Sequence, residues 1–342
     1  TARLVVFDAS GNYLGELGRA GGGPGEFRNP SALDLGADGL LRVWDTGRGI
    51  ISKWSVAGEF LGEEEAGLPY WGPGFAADSN RLVTVTGRQA DEGMRLDQRL
   101  LLSRDGRRWT LYELPLPMRM MRLPCVQRPA QTVFAPTLVW TSRGASTYVH
   151  RNPDYRVDIF EDTTLVASIR RSVPPISVTE EMAAEAVEFG PTPYRSLLRM
   201  CNVTPEQVVR AVGHEERVSP IMALAVDPEG GLWVTRTEDG ISPSSIDVFD
   251  ANAAYRFTLD VPGAVVGFPS GSTFLTLRMD RETGQTALSL YSIGGPVAVS
   301  ESGSAGAPTA DRSQEGAGPE PPAVEATWSP PPPDAELEPG DE

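Results

Sequence analysis

Residues 18–25, GRAGGGPG, hold five glycines and a proline. The chemistry such a loop could do is phosphate binding, because backbone N–H groups without neighbouring Cβ atoms can close around an oxyanion. The partners that chemistry needs are missing. A P-loop reads GxxxxGK followed by Ser or Thr, with the lysine neutralising phosphate charge, and the only lysine in the chain is Lys53. A dinucleotide fingerprint joins a strand to a helix, whereas a strand, turn, strand pattern follows Gly25. The glycines therefore read as spacing.

The other reactive side chains are few. His150 and His214 are the only histidines, outside any metal-ligand spacing, and HExxH, CxxC and GxSxG are absent. Each histidine reads as solvated or hydrogen-bonded, and neither a catalytic residue nor a cofactor is expected. Cys125 and Cys201 are too few and too distant for a structural zinc site or a disulfide framework; one bridge and two buried thiols are both open. The segment PLPMRMMRLPCVQRP (115–129) interleaves Arg119, Arg122 and Arg128 with Met118, Met120 and Met121 and has neither strand nor helix period. In an acidic chain such a loop suits docking to a partner. The plainer alternative is a cross-blade loop whose methionines plug the rim.

The elements that position these residues come from a repeat. LVVFDASGNYLGE (4–16) recurs as ISKWSVAGEFLGE (51–63), with Phe7 over Trp54 and Leu14 over Leu61, an offset of 47. IDVFDANAAYRF places Phe249 at an offset of 242 from Phe7, and ALDLGADGLLRVW (32–44) matches ALAVDPEGGLWVT (223–235) at an offset of 191. These offsets are close to whole multiples of 47 to 48. A period of about 40 to 50 residues with several short alternating strands per unit marks propeller blades. Markers at Phe7, Trp54, Leu102, Phe160, Phe249 and Tyr291 predict an all-β, six-bladed β-propeller over 1–299, with the aromatic markers buried between sheets.

The stretch GGGPGEFRNPSALDLGADGLLRVWDTGRGIISKWSVAGEFLGE resembles the NHL-type propeller repeat. The resemblance is specific over 18–63, partial at 221–257 and weak across 74–170. It implies four-stranded blades around a channel, a fold used by enzymes, sensors and scaffolds alike. Related amidating lyases hold zinc with several histidines, of which this chain has too few. Related six-bladed lactonases hold calcium or another divalent ion in the channel with Glu, Asn and Asp. Asp34, Asp38, Asp45, Asp78 and Asp227 could serve, although Asp38 and Asp227 fall in turns, where solvated carboxylates are ordinary.

The interval from Phe160 to Phe249 is 89 residues, too long for one blade. It predicts a helical insertion over 177–213, with Ser177 and Glu180 as one capping box and Thr204, Pro205 and Gln207 opening a second helix that Gly213 stops. Long insertions on a rigid scaffold carry binding function or cover an apolar rim. The first blade has only its outer strands, so PVAVSE (296–301) is a candidate closing strand.

Composition bounds the partners. A formal net charge of −16 disfavours nucleic acid and anionic lipid, and no apolar run approaches the roughly 20 residues a membrane helix needs. The chain starts at Thr1 without methionine or signal peptide, as a processed or trimmed chain would. Residues 300–342 form an acidic, proline-rich tail, expected to lie extended along a partner with Trp328 and Leu337 as anchors. The expected function is a non-enzymatic scaffold or interaction propeller whose partners are protein subunits. The whole-chain plan is similar to a membrane-extrinsic, periplasmic subunit of a bacterial membrane complex, such as a photosynthetic reaction centre with its antenna. A propeller hydrolase or lactonase with a channel-bound divalent ion is the alternative.

Overall fold

Apolar residues alternating with others build short antiparallel strands, and hairpin turns with left-handed glycines, such as Gly58 (φ 87°) and Gly230 (φ 89°), join them. The computed structural model describes residues 2–8, 12–36, 38–66, 74–77, 81–90, 95–190, 193–279, 285–293 and 325–327. A hairpin, β1 (Leu4–Phe7) and β2 (Tyr13–Leu17), precedes a short parallel pair, β3 (Arg19–Ala20) and β4 (Glu26–Phe27). The first blade follows: β5 (Pro30–Leu35), β6 (Leu41–Asp45), β7 (Ile50–Trp54) and β8 (Phe60–Glu65). The second is β9 (Phe75–Ala77), β10 (Arg81–Ala90), β11 (Arg95–Arg104) and β12 (Arg107–Pro117). A hairpin, β13 (Arg119–Leu123) and β14 (Val126–Ala130), leads to the third blade: β15 (Trp140–Arg143), β16 (Ser146–His150), β17 (Arg156–Glu161) and β18 (Thr164–Arg170).

Next come β19 (Ile176–Ser177), three helices, α1 (Glu180–Phe189), α2 (Arg195–Cys201) and α3 (Pro205–Val212), and β20 (Arg217–Val218), which pairs with β19. The fourth blade is β21 (Ile221–Val226), β22 (Leu232–Thr237), β23 (Pro243–Phe249) and β24 (Tyr255–Leu259). The fifth has three strands, β25 (Ala264–Ser270), β26 (Thr273–Met279) and β27 (Thr286–Ser292). Last, β28 (Glu325–Thr327) adds to β18.

The molecule is an all-β propeller with a helical insertion, and the described residues form five blades where six were expected. The sixth marker, Phe7, sits on the two-stranded β1–β2 hairpin, which carries only the outer half of the repeat pattern. That hairpin packs Leu4 and Leu17 against Phe27 of β4 and Val43 and Trp54 of the first blade and leaves Phe7 57% exposed. The expected burial fails there. Trp54, Phe160 and Phe249 are buried as expected, Leu102 is buried too, and Tyr291 is half-buried. The candidate closing strand at 296–301 lies outside the described residues. The three helices fall within 177–213, and Thr204 and Gln207 form the expected capping box. The cap of α1 is Thr179 rather than Ser177, its side chain accepting from the Met182 N–H.

Neighbouring blades are joined by wedged rings and by buried polar groups. Trp44 meets Phe75 edge-on between the first two blades, and Trp233 packs on Phe268 and Phe274 between the last two. Buried Arg81 donates from the second blade to Ser142 and Thr147 of the third. Between the third and fourth, fully buried Asp247 accepts from the Tyr155 hydroxyl at 2.7 Å and pairs with Arg171. Phe249 fills the apolar layer beside it.

Truncating a wedge should therefore cost far more than truncating Phe7. Phe249→Ala is expected to lose about 3 to 5 kcal/mol, and Phe7→Ala to stay within about 0.5 kcal/mol of the parent. Urea denaturation of both variants checks this, and equal losses would refute the assignment of these positions.

Candidate functional site

The two longest departures from blade rhythm meet in space. Hairpin β13–β14 follows the second blade, and helices α1–α3 follow the third. Met121, Ala130 and Val133 from the first insertion share one apolar core with Ala183, Val187, Leu197, Val208 and Val212 from the second. The segment expected to be a loop without period is thus a hairpin, because the helices cover its Met121 side. Cys125 at the hairpin turn is bonded to Cys201 at the end of α2, a separation of 76 residues. Closing a loop of that length removes unfolded-chain entropy worth about 4 kcal/mol in the chain-entropy model. The two insertions make one cross-linked cap.

Beneath the cap lies a cleft of about 700 Å³. Its polar lining includes Arg119, Thr132, Tyr194, His214, Glu215 and Ser219. Glu215 accepts from the Thr132 hydroxyl, the His214 Nδ1 donates to the Glu215 carbonyl at 2.8 Å, and the Tyr194 hydroxyl donates to the Gln131 carbonyl. Burial pushes the Tyr194 phenol up to about 12, so it stays protonated as a donor.

At the cleft wall, Ser219 Oγ lies 2.7 Å from Nε2 of fully buried His150. The other ring nitrogen, Nδ1, faces the Arg156 carbonyl at 3.0 Å. A carbonyl only accepts, so Nδ1 carries the proton and Nε2 presents a lone pair to the Ser219 hydroxyl. Burial lowers the His150 pKa and so favours the neutral base, an effect that the Arg156 carbonyl opposes. Ser219 Oγ also accepts the Ile221 N–H at 2.9 Å, which fixes its position. A hydroxyl held against an oriented imidazole is the geometry that activates a serine nucleophile. Neither residue carries a motif, and their separation of 69 residues gives sequence reading no handle.

The predicted docking residues divide. Met121 is fully buried and Met118 is half-buried against the second-blade core. Arg119, Met120, Arg122 and Arg128 are exposed on the hairpin, Arg119 at the cleft with its guanidinium over Gly213. Trp328 and Leu337 lie outside the described residues. Sequence reading missed Arg195, Arg199 and Met200, exposed on α2 beside the disulfide; their signal was the four-residue spacing of the arginines, which puts both on one side of a helix.

The glycine-rich loop holds an anion of its own. Glu26 Oε2 accepts the Gly23 N–H at 2.8 Å and its side chain pairs with Arg19; these bonds, the Gly23 N–H foremost, hold the Glu26 carboxyl below its usual range. Among the described residues no three His, Cys, Asp or Glu side chains gather as a metal site would need. Asp34 accepts the Ala77 N–H, Asp38 pairs with buried Arg42, Asp45 accepts the Arg28, Asn29 and Gly47 N–H groups, and Asp227 accepts from Gly231 and Trp233. Asp78 lies outside the described residues.

No family model matches the chain, and no curated protein matches it. Solved structures that resemble it include a protein described as exported from Bacteroides fragilis, 14% identical over 81% of this chain and 74% of that one, TM-score 0.39. A member of the DUF4221 family from Bacteroides vulgatus is 8% identical over 85% and 86%, TM-score 0.44. An inactive virginiamycin B lyase from Staphylococcus aureus, solved with quinupristin, is 11% identical over 85% and 78%, TM-score 0.34. Likenesses of this size concern the fold and carry no chemistry.

The His150 environment has a pH signature. Its folded pKa is depressed below 6.5, so its contribution to stability is complete above that value and declines as pH falls, where the unfolded chain binds the proton first. The unfolding free energy should fall by up to about 1.4 kcal/mol per pH unit below about pH 6.5, and His150→Gln should remove that slope. Chemical denaturation across pH 5 to 8 measures it; an unchanged slope in the variant would assign the effect elsewhere.

Proposed function

We propose that this protein is an extracytoplasmic interaction propeller that presents its disulfide-locked cap to another protein. The observation that carries the reading is the Cys125–Cys201 bridge between two separate insertions. Such a bond persists in oxidising compartments, and it fixes two insertions that depart from blade architecture. Among the described residues no helix is long and apolar enough to cross a membrane.

The exposed chemistry of the cap fits an acidic partner. Arg122, Arg128, Arg195 and Arg199 stand on hairpin and α2 with Met120 and Met200, the latter 62% exposed, in a chain of net charge −16. Arginine supplies forked hydrogen bonds and methionine adaptable apolar contact. The proposed partner is a subunit of a bacterial membrane complex on its periplasmic face, with the propeller as an accessory, non-enzymatic subunit; a photosynthetic reaction centre is one such complex.

Replacing Arg122, Arg128 and Arg199 together by Glu should leave the melting temperature within about 2 °C. It should abolish co-purification from solubilised native membranes and remove the salt dependence of that association. Unaltered co-purification, or equal loss of folding and binding, would remove the cap from this role.

One observation favours a second reading, a hydrolase. Ser219 and His150 have the contact a nucleophile and its base require, at a cleft of adequate volume. A fluorophosphonate probe should then label the parent protein at Ser219 and leave Ser219→Ala unlabelled. Absence of labelling in the folded parent returns the pair to a structural clamp between the third and fourth blades.

A further inference from the structure

The expectation for the acidic tail was an extended strap on a partner. Its one described element instead pairs with the propeller it belongs to. β28 runs antiparallel to β18, with Ser168 opposite Thr327, Ile169 opposite Ala326 and Arg170 opposite Glu325. β18 is the outermost strand of its blade, and it becomes the fourth of five strands. Among the described residues the outer strands β8, β12 and β24 have no such neighbour.

We propose that the outer edge of the third blade is an acceptor site for an extended acidic peptide, and that residues 325–327 of this chain are its resident occupant. Three features support this. An outer strand presents unpaired N–H and C=O groups that an added strand satisfies. The occupant is cut to length: Pro321 and Pro322 precede Ala323, and Pro330–Pro333 follow Ser329, so seven residues with their own N–H groups lie between two blocks that cannot donate to a ladder. Within them stand Val324, Thr327 and Trp328, residue types that favour strands.

The third feature is charge. The register puts a glutamate position opposite exposed Arg170, an arrangement that favours pairing. The same end of the strand borders a cleft of about 440 Å³ whose lining includes Arg170, and residues 301–342 carry ten acids against one arginine. The linker also reaches. Residues 293–324 could span on the order of 100 Å when extended, ample to pass from the fifth blade to the third. A tethered occupant acts at high effective concentration, so a free peptide of the same kind meets a site already filled. This site is separate from the cap and stands without the reading of the cap.

The test uses the full chain. Ala326→Pro removes one N–H from the middle of the added strand and should leave the melting temperature of the propeller unchanged. Hydrogen exchange across 164–170 should become at least ten-fold faster in this variant. A fluorescein-labelled peptide of residues 319–333 should bind the variant at least ten-fold more tightly than the parent, by fluorescence anisotropy. The same peptide carrying Ala326→Pro should bind neither, and Arg170→Glu in the opened protein should weaken binding at least three-fold. Exchange across 164–170 that does not change, or a peptide that fails to bind the variant, overturns the proposal.

Discussion

A blade sheet has two faces that water disfavours, and each can be covered only by the next blade. The buried layers between the blades follow from that constraint. Trp44 meets Phe75, Phe160 lies among the leucines of the second blade, Phe249 lies against the third, and Trp233 wedges on Phe274. Where the series of sheets stops, the same residue types lie open. Val5, Phe7 and Tyr13 are exposed on the first hairpin, and Val266, Leu277 and Leu288 on the fifth blade. Buried carboxylates are held in hydrogen-bonded sets, as with Asp158, which binds Arg151, Arg156 and Ser168. Burial alone would raise its pKa, yet these hydrogen bonds hold the carboxyl below the ordinary value.

Much of this architecture was legible because a strand leaves a period-two trace and a blade repeats it every 47 or so residues. Trp54, Leu102, Phe160 and Phe249 could be placed by counting alone. Phe7 could not, since its local pattern matches Trp54 while the strands that would cover it are a matter of what else is present. The start of α1 was missed by two residues because Ser177 and Thr179 are both competent caps and the choice is made by the β19–β20 pairing that ends at Ser177.

The candidate site was less legible for a related reason. Met118 to Arg128 lacks its own period, and becomes a hairpin because helices encoded some sixty residues later bury Met121. The bridge between Cys125 and Cys201 and the contact of Ser219 with His150 likewise exist only after folding. What sequence did supply was residue type: arginine and methionine at the exposed positions, and a glycine loop whose lack of lysine spoke against phosphate and which in the structure holds Glu26.

The bridge between the two insertions encloses residues 126–200, which contain the whole third blade. That blade is therefore threaded inside a covalent ring made of the chain itself. A protease that cuts within this ring, for example at the Asp162 turn between β17 and β18, leaves two pieces still tied through sulfur. Their sheets stay aligned, so a single cut there is a scar and not a severance. The central blade can thus be nicked at that turn without parting the chain.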